Sequence, residues 1–314
     1  MTSGRQRILV IKLGALGDFV QAMGPMAAIR RHHGDAHIVL LTTAPFAQLG
    51  QSSGYFDDVW LDDRPPILAI RAWLRFRRRL REVLFERVYD LQTSDRSGWY
   101  FRLFWPGPWP EWSGIVLGCS HHHNNPERER MHTIDRQADQ LRIAGIRDVG
   151  LPDVSWAKAD LSRFALPGRY ALLVPGASPH RPAKRWPLER YAGLAHELER
   201  AAIVPVILGT KADRPFGRAI VARAATARDL TGETNILEII TLARDAALAV
   251  GNDTGPMHLT AAAGCPSLVL FSGASDPALC APRGARVTIL RRRRLYELKL
   301  TEVLDALPRQ EACS

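Results

Sequence analysis

A short polar loop, KLGALGD at residues 12–18, follows the strand-like run RILVI and ends in a carboxylate, Asp18. Aspartate is favoured at the N-cap of a helix. It can also act as a general base that takes a proton from an incoming hydroxyl. The loop alone favours the cap. A G-x-G-x-x-G dinucleotide fingerprint would need a glycine where Lys12 stands, so the loop does not support NAD binding.

A second polar loop lies in VPGASPHRPAKRWPLERYAGLA (174–195), between a strand-like run and a helix-like run. Its Ser178, Arg181 and Lys184 combine a hydroxyl with two cations. Cations on a loop before a helix can neutralise a diphosphate, above all one that leaves during a reaction. An ordinary charged surface loop is the alternative interpretation.

A third loop, Asp253-Thr254-Gly255, joins a buried strand-like run to a helix of small residues. The backbone N–H groups at the start of such a helix form a ready anion site. His258 stands one turn into this helix, where a histidine is more often structural than catalytic. Asp213 ends a further strand-like segment, LGTKAD, and can bond a ribose hydroxyl.

A regular framework must position these loops. Strand-like and helix-like runs alternate along most of the chain, which indicates parallel sheets covered by helices on both faces. The predicted strands are 7–11, 37–42, 58–62, 87–92, 114–118, 170–174, 204–209, 228–232, 247–251 and 267–271. We therefore predict an α/β protein with two doubly wound domains that face one another across a cleft. The polar loops fall at the carboxyl ends of strands, where ligands bind in such sheets.

The boundary between the two domains is expected in segment 151–169, where prolines and a glycine bracket a short polar stretch. We predict an N-terminal domain over residues 1–160 and a C-terminal domain over residues 168–294.

The chain is strongly basic, with a net charge of +10 over 314 residues. Seven arginines lie in RAWLRFRRRLREVLFER (71–87), whose apolar positions recur at helical spacing, and RRRR follows at 291–294. Such patches suit polyanions: nucleic acid, anionic lipid or a phosphorylated glycolipid. A solvated helix face is the alternative. The arginines are not accompanied by the pattern of a nucleic-acid-binding module, so no nucleic-acid partner is expected.

The whole sequence favours a cytoplasmic protein. Its apolar runs stay below the ~18–20 residues of a membrane span, and its N-terminus lacks the apolar stretch of a signal peptide. The four cysteines form no CxxC pair, which is typical of a reduced compartment and disfavours a cysteine-built metal site. The HHHNN run (121–125) has no matching ligand cluster and is interpreted as a mobile loop. The tryptophan-bearing PGPWPEWSG (106–114) can be a packing feature or a lip for a ligand.

Three blocks together resemble glycosyltransferase family 9, the ADP-heptose:lipopolysaccharide heptosyltransferases. They are ILVIKLGALGD, PGAS…KRWPLERYAGLA and GNDTGPMHLTAAAGCPSLVLFSGASDP, and the shorter DLQTSDRS (90–97) and MHTIDR (131–136) resemble family segments of the acceptor-binding half. The resemblance implies a GT-B fold, with a C-terminal domain for the nucleotide sugar and an N-terminal domain for a lipid-linked acceptor. It also implies inverting, metal-independent transfer of heptose from ADP-heptose to a lipopolysaccharide core. From related folds, residues 295–314 are expected to cross back onto the N-terminal domain.

Residue by residue, the resemblance makes Asp18 the catalytic base and places Lys184 beside the donor diphosphate. The predicted donor-binding residues are Ser178, Arg181, Asp213, Asp253, Thr254, Gly255 and His258. The predicted acceptor-binding residues are Gly14, Gly17, Gln92, Arg96, His132 and Arg136. The expected partners are the nucleotide-sugar donor and an anionic glycolipid acceptor, with helix 71–87 meeting the inner leaflet of the membrane. Neither a metal ion nor another cofactor is expected.

Two other functions stay open from the sequence. One is a GT-B transferase that uses a different nucleotide sugar, such as a UDP- or GDP-hexose. The other is a non-catalytic protein that binds a nucleotide sugar or a polyanion and has no need of Asp18. An NAD-dependent oxidoreductase is disfavoured by the failed glycine fingerprint.

Overall fold

The computed structural model describes residues 5–166, 168–178 and 180–308, and the chain divides into two units, Met1–Pro152 and Asp153–Ser314. The strands of the first unit are Arg7–Ile11 (β1), His37–Thr42 (β2), Asp58–Leu61 (β3), Arg87–Asp90 (β4), Glu111–Gly114 (β5) and His121–His122 (β6). Its helices are Leu16–Gln21 (α1), Met23–His32 (α2), Ala44–Ser52 (α3), Ile70–Glu82 (α4), Asp95–Arg102 (α5) and Thr133–Ile143 (α6).

The second unit repeats this alternation. Its strands are Tyr170–Val174 (β7), Val204–Ile207 (β8), Arg228–Asp229 (β9), Leu248–Asn252 (β10), Ser267–Phe271 (β11) and Val287–Arg291 (β12). Its helices are Leu188–Arg200 (α7), Arg214–Val221 (α8), Ile236–Asp245 (α9), Gly255–Ala262 (α10), Pro277–Cys280 (α11) and Leu300–Asp305 (α12).

Each unit is built on a parallel sheet with the same strand order. The order is β3-β2-β1-β4-β5-β6 in the first unit and β12-β11-β10-β7-β8-β9 in the second, which is the first order read from the opposite edge. This is the doubly wound arrangement, in which ligands bind where the strand order reverses. The reversal lies between β1 and β4 in the first sheet and between β7 and β10 in the second. The prediction of two Rossmann-like α/β units is confirmed.

The central strands are apolar because helices cover both faces of each sheet. The side chains of β7, β10 and β11 are buried along their whole length, and so is β1 from its second residue. Such strands bring neighbouring loops to one sheet edge and hold them there. Among helices in the described ranges, none has the length and apolar character that crossing a bilayer requires.

The structure places the boundary between the units earlier than the predicted end of the first domain at residue 160. Arg244 of α9 donates hydrogen bonds to the carbonyls of Val154 and Ala157, both at 3.1 Å. Val154 and Ala157 are themselves buried. These contacts attach the segment after Pro152 to the second unit.

The C-terminal segment also packs on the second unit. Leu295, Leu298 and Val303 belong to its hydrophobic core, and the indole N–H of Trp186 donates to the Leu298 carbonyl at 2.8 Å. The prediction that residues 295–314 return to the N-terminal domain is therefore wrong for residues 295–308. Residues 309–314 lie outside the described part of the chain.

Two local predictions need correction as well. The arginine-rich helix ends at Glu82 rather than Arg87, because Leu84 adopts a φ of 50° and Arg87 opens β4. The HHHNN run is not a mobile loop, since its first two residues form β6 beside β5.

Candidate functional site

The loops after β1 and β4 meet at the reversal point of the first sheet. Lys12 follows β1 directly and is buried, and its Nζ donates to the Leu91 carbonyl at 3.0 Å. The Leu13 N–H donates to Oε1 of Gln92 at 2.9 Å. These two bonds tie the Gly14–Asp18 loop to the loop that carries Gln92.

Asp18 is not a helix cap. Helix α1 begins at Leu16 with Ala15 at its N-cap, and no side chain caps it among the residues described. Asp18 lies in the first turn, and its side chain is exposed. It lines a cavity of about 280 Å³. The structure therefore removes the alternative that the sequence alone favoured for this carboxylate.

The wall of this cavity is cationic. Lys12, Arg128 and Arg136 line it beside Asp18 and Glu129. Burial lowers the pKa of Lys12, and the negative charges of Asp18 and Asp90 oppose that shift. Burial and the charge of Arg128 lower the pKa of Arg136. A wall of this kind suits an anionic ligand close to the Asp18 carboxylate.

The sequence did not single out Lys12 or Arg128 as site residues. Arg128 reaches the cavity from the loop before α6, donates to Oγ1 of Thr93 at 2.9 Å and pairs with Glu129 at 2.5 Å. Nothing in its sequence neighbourhood distinguishes it from other surface arginines. Lys12 did carry a signal, because a lysine that ends a fully apolar strand must find a buried partner.

A buried carboxylate, that of Asp90, is hydrogen-bonded to the backbone of the loop that carries Gln92. Asp90 ends β4 and is fully buried, and its Oδ1 accepts the N–H groups of Gln92 at 3.1 Å and Thr93 at 2.9 Å. Burial raises the pKa of Asp90 to about 6, although these N–H groups and Lys12 act in the opposite direction. Its protonation is therefore coupled to the folding of the first unit.

Because the native Asp90 carboxyl keeps its proton up to about pH 6, while an unfolded aspartate ionises near pH 4, its contribution to stability is lost as the pH rises through this window. The Asp90→Asn variant lacks this titration. The difference in the free energy of unfolding between the variant and the unsubstituted protein should therefore depend on pH. We expect it to shift by about 2 kcal/mol in favour of the variant when the pH is raised from about 4.5 to about 7.5. Urea unfolding at the two pH values measures the change. Asp63→Asn, at an exposed carboxylate, is the control, and a difference for Asp90→Asn that does not vary with pH would contradict the assignment.

Gly14 is required by its backbone and by its neighbour. Its φ is +118°, and a Cβ atom there would lie 2.5 Å from Cε2 of Phe46. We expect Gly14→Ala to lower the free energy of unfolding by about 1–3 kcal/mol and to displace the loop that carries Asp18. Urea unfolding measures the effect. Gly34→Ala is the matched control, since a Cβ there meets nothing within 4 Å, and equal stabilities for the two variants would refute the strain.

Several predicted acceptor-binding residues do not belong to the lining of the Asp18 cavity. Arg96 donates to the Tyr100 hydroxyl at 2.9 Å and to the Pro65 carbonyl at 3.0 Å. His132 caps α6, with Nδ1 accepting the Ile134 N–H at 3.2 Å. Gly17 is the second residue of α1. Of the predicted acceptor residues, Gln92 and Arg136 line the cavity with Asp18.

At the reversal point of the second sheet, Asn252 joins the loops after β7 and β10. Its Nδ2 donates to the Pro175 carbonyl at 2.8 Å and to the Gly176 carbonyl at 3.3 Å. Its Oδ1 accepts the Trp186 N–H and the Tyr191 hydroxyl, both at 3.1 Å. The side chain is fully buried. It fixes both ends of the Pro175–Trp186 loop against the strand that leads into Asp253.

Lys184 and Asp253 form a buried ion pair at this point. The Lys184 side chain is 11% exposed and the Asp253 side chain 6%, and Nζ of the lysine contacts Oδ2 of the aspartate. The Ser275 hydroxyl donates to the same Oδ2 at 2.6 Å. Ser275 lies at the end of the GNDTGPMHLTAAAGCPSLVLFSGASDP block, but the sequence did not single out this residue. Asp253 thus holds the ammonium group of Lys184, and Ser275 holds the Asp253 carboxylate.

Helix α10 begins beside this pair. Thr254 is its N-cap and Gly255 its first residue, and no side chain caps this end within the residues described. His258 is buried in the first turn. The N–H groups at this end carry partial positive charge, so the helix start adds to the cationic character that Lys184 provides.

The remaining predicted donor residues lie on neighbouring loops of the second unit. Asp213 is buried, and its Oδ2 accepts the N–H and the hydroxyl of Thr210 at 2.9 and 2.7 Å. Its carboxylate lies against Gly176, where a Cβ would approach it to 2.9 Å. Ser178 and Arg181 are exposed, and the Arg181 N–H donates to the Ser178 carbonyl at 2.9 Å.

The histidine-rich run has protein partners. His123 Nε2 lies 2.9 Å from Asp139 Oδ2, and the Asn125 amide donates to the same oxygen at 2.7 Å. The bonds from Asn125 and Arg142 hold the pKa of Asp139 down at about 2. Within the described ranges, no three His, Cys, Asp or Glu side chains are grouped so that they could hold a metal ion.

Comparison with known proteins places the chain in a family. The family model described as "Glycosyltransferase family 9 (heptosyltransferase)" matches residues 73–307. Lipopolysaccharide heptosyltransferase 2 of Salmonella typhimurium is 34% identical over 137 residues, which are 41% of this chain and 39% of that protein. The Escherichia coli K12 protein of the same name is 34% identical over 122 residues, 37% of this chain and 34% of that protein. The matched segments thus span less than two fifths of these relatives.

Solved structures agree in fold over nearly the whole chain. The structure titled E. coli ADP-heptose lps heptosyltransferase II has a TM-score of 0.80 and 22% identity, covering 96% of this chain and 97% of its own. The glycosyl transferase family 9 structure from Veillonella parvula has a TM-score of 0.83 and 19% identity, covering 98% and 97%. At these identities the structures establish a shared fold. The family model matches most of the sequence, and the chain therefore belongs to glycosyltransferase family 9, the heptosyltransferase family.

Proposed function

We propose that the protein transfers heptose from ADP-heptose to a lipopolysaccharide core-type acceptor, with inversion and without a metal ion. Family membership and the names of the relatives support the donor and acceptor class. The observation that carries the proposal is Asp18, an exposed carboxylate that caps no helix. It lines a cationic cavity at the reversal point of a doubly wound sheet. A binding protein would have no need of a carboxylate in such a place.

Asp18 is the general base in this proposal. A sugar hydroxyl is a weak nucleophile, so a carboxylate that accepts its proton as the new C–O bond forms accelerates the reaction. Attack at the anomeric carbon opposite the departing ADP inverts that centre in a single displacement. Lys12, Arg128 and Arg136 supply the positive charge that an anionic acceptor sugar requires.

Lys184 and the start of α10 stabilise the leaving group. The departing ADP gains negative charge on its diphosphate, and fixed positive groups lower the energy of that state. Lys184, held in place by its ion pair with Asp253, directs its ammonium group to the diphosphate in this proposal. The N–H groups at Thr254 and Gly255 supply partial positive charges. Arg181 on the exposed loop adds a second cation, and Asp213 is assigned to the ribose. These groups stabilise the negative charge of the leaving diphosphate, which a divalent cation stabilises in other transferases.

A lipid-linked acceptor determines where the enzyme works. We assign it to the cytoplasm, in contact with the inner leaflet of the membrane, because its acceptor is held there and its donor is a soluble nucleotide sugar. The basic surface of the first unit supports this placement.

A transfer assay tests the function. Purified protein is incubated with ADP-heptose and a heptose-free lipopolysaccharide core in the presence of EDTA, and the product is identified by mass. Transfer with ADP-heptose, and not with UDP- or GDP-hexoses, is the expected result. Transfer from another nucleotide sugar would replace the donor, and binding of nucleotide without any transfer would favour the non-catalytic alternative.

A further inference from the structure

The first unit carries a concentrated patch of exposed apolar side chains. Ile67 is 88% exposed, Ile70 68%, Leu74 58% and Trp99 59%. These four residues line one groove of about 570 Å³ between the start of α4 and helix α5. Leu68, at 90% exposure, adjoins them. Contiguous apolar surface of this kind is uncommon on a soluble protein and marks an interaction site.

Arginines accompany this patch, which we call the apolar groove, and two of them, Arg77 and Arg96, belong to its lining. Arg71, Arg75 and Arg78 are exposed on α4. The Arg102 guanidinium lies 5.0 Å from the centre of the Trp99 ring. Asp95 is the acidic side chain in the lining. The groove therefore combines an apolar centre with a rim of predominantly positive charge.

Other arginines of α4 are engaged within the protein. Arg81 donates to the carbonyls of Phe104 and Gly107, both at 2.7 Å. Arg79 lies 3.9 Å above the Trp60 ring. Arg77 also donates to the Trp105 carbonyl at 2.6 Å, and Arg78 pairs with Glu82 at 2.6 Å. Part of the arginine cluster thus stabilises the unit, and Arg71 and Arg75 are the arginines of α4 that we assign to a partner.

The apolar groove adjoins the same sheet edge as the Asp18 cavity. Its two sides follow the carboxyl ends of β3 and β4, as the cavity follows those of β1 and β4. The Arg64 guanidinium, in the loop before α4, donates to the Leu13 carbonyl at 2.8 Å. The Arg96 guanidinium ties α5 to the Pro65 carbonyl at 3.0 Å. A surface that lies against the groove would therefore lie next to the loops around Asp18.

We propose that the apolar groove docks the first unit on an anionic lipid bilayer, with Ile67, Leu74 and Trp99 entering the interface and Arg71 and Arg75 meeting lipid phosphates. Apolar side chains flanked by cations are the signature of interfacial docking, and tryptophan favours the boundary between headgroups and acyl chains. The inference deepens the proposed function, because it rests on the acceptor being lipid-linked. It assigns membrane contact to one defined surface, the apolar groove, rather than to helix 71–87 as a whole.

Vesicle binding tests this docking without donor, acceptor or turnover. The full chain is sedimented with vesicles of phosphatidylcholine alone and of phosphatidylcholine with phosphatidylglycerol. Binding is expected only with the anionic lipid. Ile67→Ser/Leu74→Ser should weaken it by at least roughly tenfold, given the apolar area that each side chain removes from water. The matched control is Leu117→Ser/Leu151→Ser, which alters side chains that are 85% and 54% exposed and lie outside the groove.

The arginines and Trp99 give independent readouts. Arg71→Gln and Arg75→Gln should each weaken anionic-vesicle binding by about fivefold, corresponding to about 1 kcal/mol per charge at a membrane surface. Brominated lipid should quench part of the tryptophan fluorescence, and Trp99→Phe should remove that part.

Two outcomes would overturn the docking surface. One is equal vesicle binding by the groove double variant and its control. The other is a protein that does not bind vesicles but forms a concentration-dependent dimer, seen by light scattering, which the groove double variant abolishes. The groove would then be a contact between copies of this chain. Failure of transfer with vesicle binding intact would instead count against the proposed reaction alone.

Discussion

Substitution of Asp18 by asparagine is expected to lower the turnover number for heptose transfer by roughly 100- to 10,000-fold, the usual contribution of a general base. Asparagine keeps the size of the side chain but does not take up the proton of the acceptor hydroxyl. The fold should be unaffected, because the Asp18 side chain is exposed and caps no helix. Initial rates of ADP release at saturating donor and acceptor give the turnover number.

The matched control for this prediction is Asp35→Asn, which changes an exposed aspartate in the turn between α2 and β2. It should leave the rate unchanged. ADP affinity, measured by calorimetry, should survive in Asp18→Asn, since the residues assigned to the donor belong to the other unit. A normal turnover number for Asp18→Asn would exclude the base assignment. A loss of ADP affinity together with turnover would mean that Asp18 supports the fold or the donor instead.

The sequence predicted best those strands that lie inside the sheets. β1, β2, β7 and β11 have the bounds that the apolar runs indicated, because a strand buried on both faces reads as a continuous apolar run. β6 and β12 were not predicted. β6 has two residues, and β12 is an edge strand with mixed burial that runs into the basic RRRR segment. Short strands at a sheet edge carry too little apolar pattern to be distinguished from loops.

The positions of the functional loops were predictable, but the pairing of side chains within them was not. Strand-to-helix junctions with Gly and Pro mark where the chain turns at a sheet edge, and this located Lys184 and Asp253. That these two meet, with Ser275 as a third partner, depends on strand order and register. The N-cap interpretation of Asp18 failed because α1 starts at Leu16, three residues before the start at Phe19 that an Asp18 cap would give. A difference of this size in a helix start decides whether a carboxylate caps a helix or stays available.

Substitution of Lys184 by methionine is expected to lower kcat/KM for the donor by roughly 100- to 1,000-fold, the range found when one fixed group that stabilises developing charge is removed. Methionine retains the unbranched apolar stem but carries no charge. ADP affinity should also fall, because the product diphosphate keeps the negative charge that Lys184 neutralises. Steady-state kinetics with varied donor and calorimetry with ADP measure the two effects. Lys158→Met, at an exposed lysine of the same unit, is the control.

Stability must be separated from catalysis in this variant. Loss of Lys184 leaves the Asp253 carboxylate, 6% exposed, without its cation, and breaking a buried pair in this way costs about 3–5 kcal/mol. The double variant Lys184→Met/Asp253→Asn removes both charges. It should regain most of the free energy of unfolding, because an amide can still accept the Ser275 hydroxyl, whereas donor use and ADP affinity should stay low. If ADP affinity and transfer returned together with stability, the ion pair would be a structural support of the β10 loop, and Lys184 would have no part in binding the diphosphate.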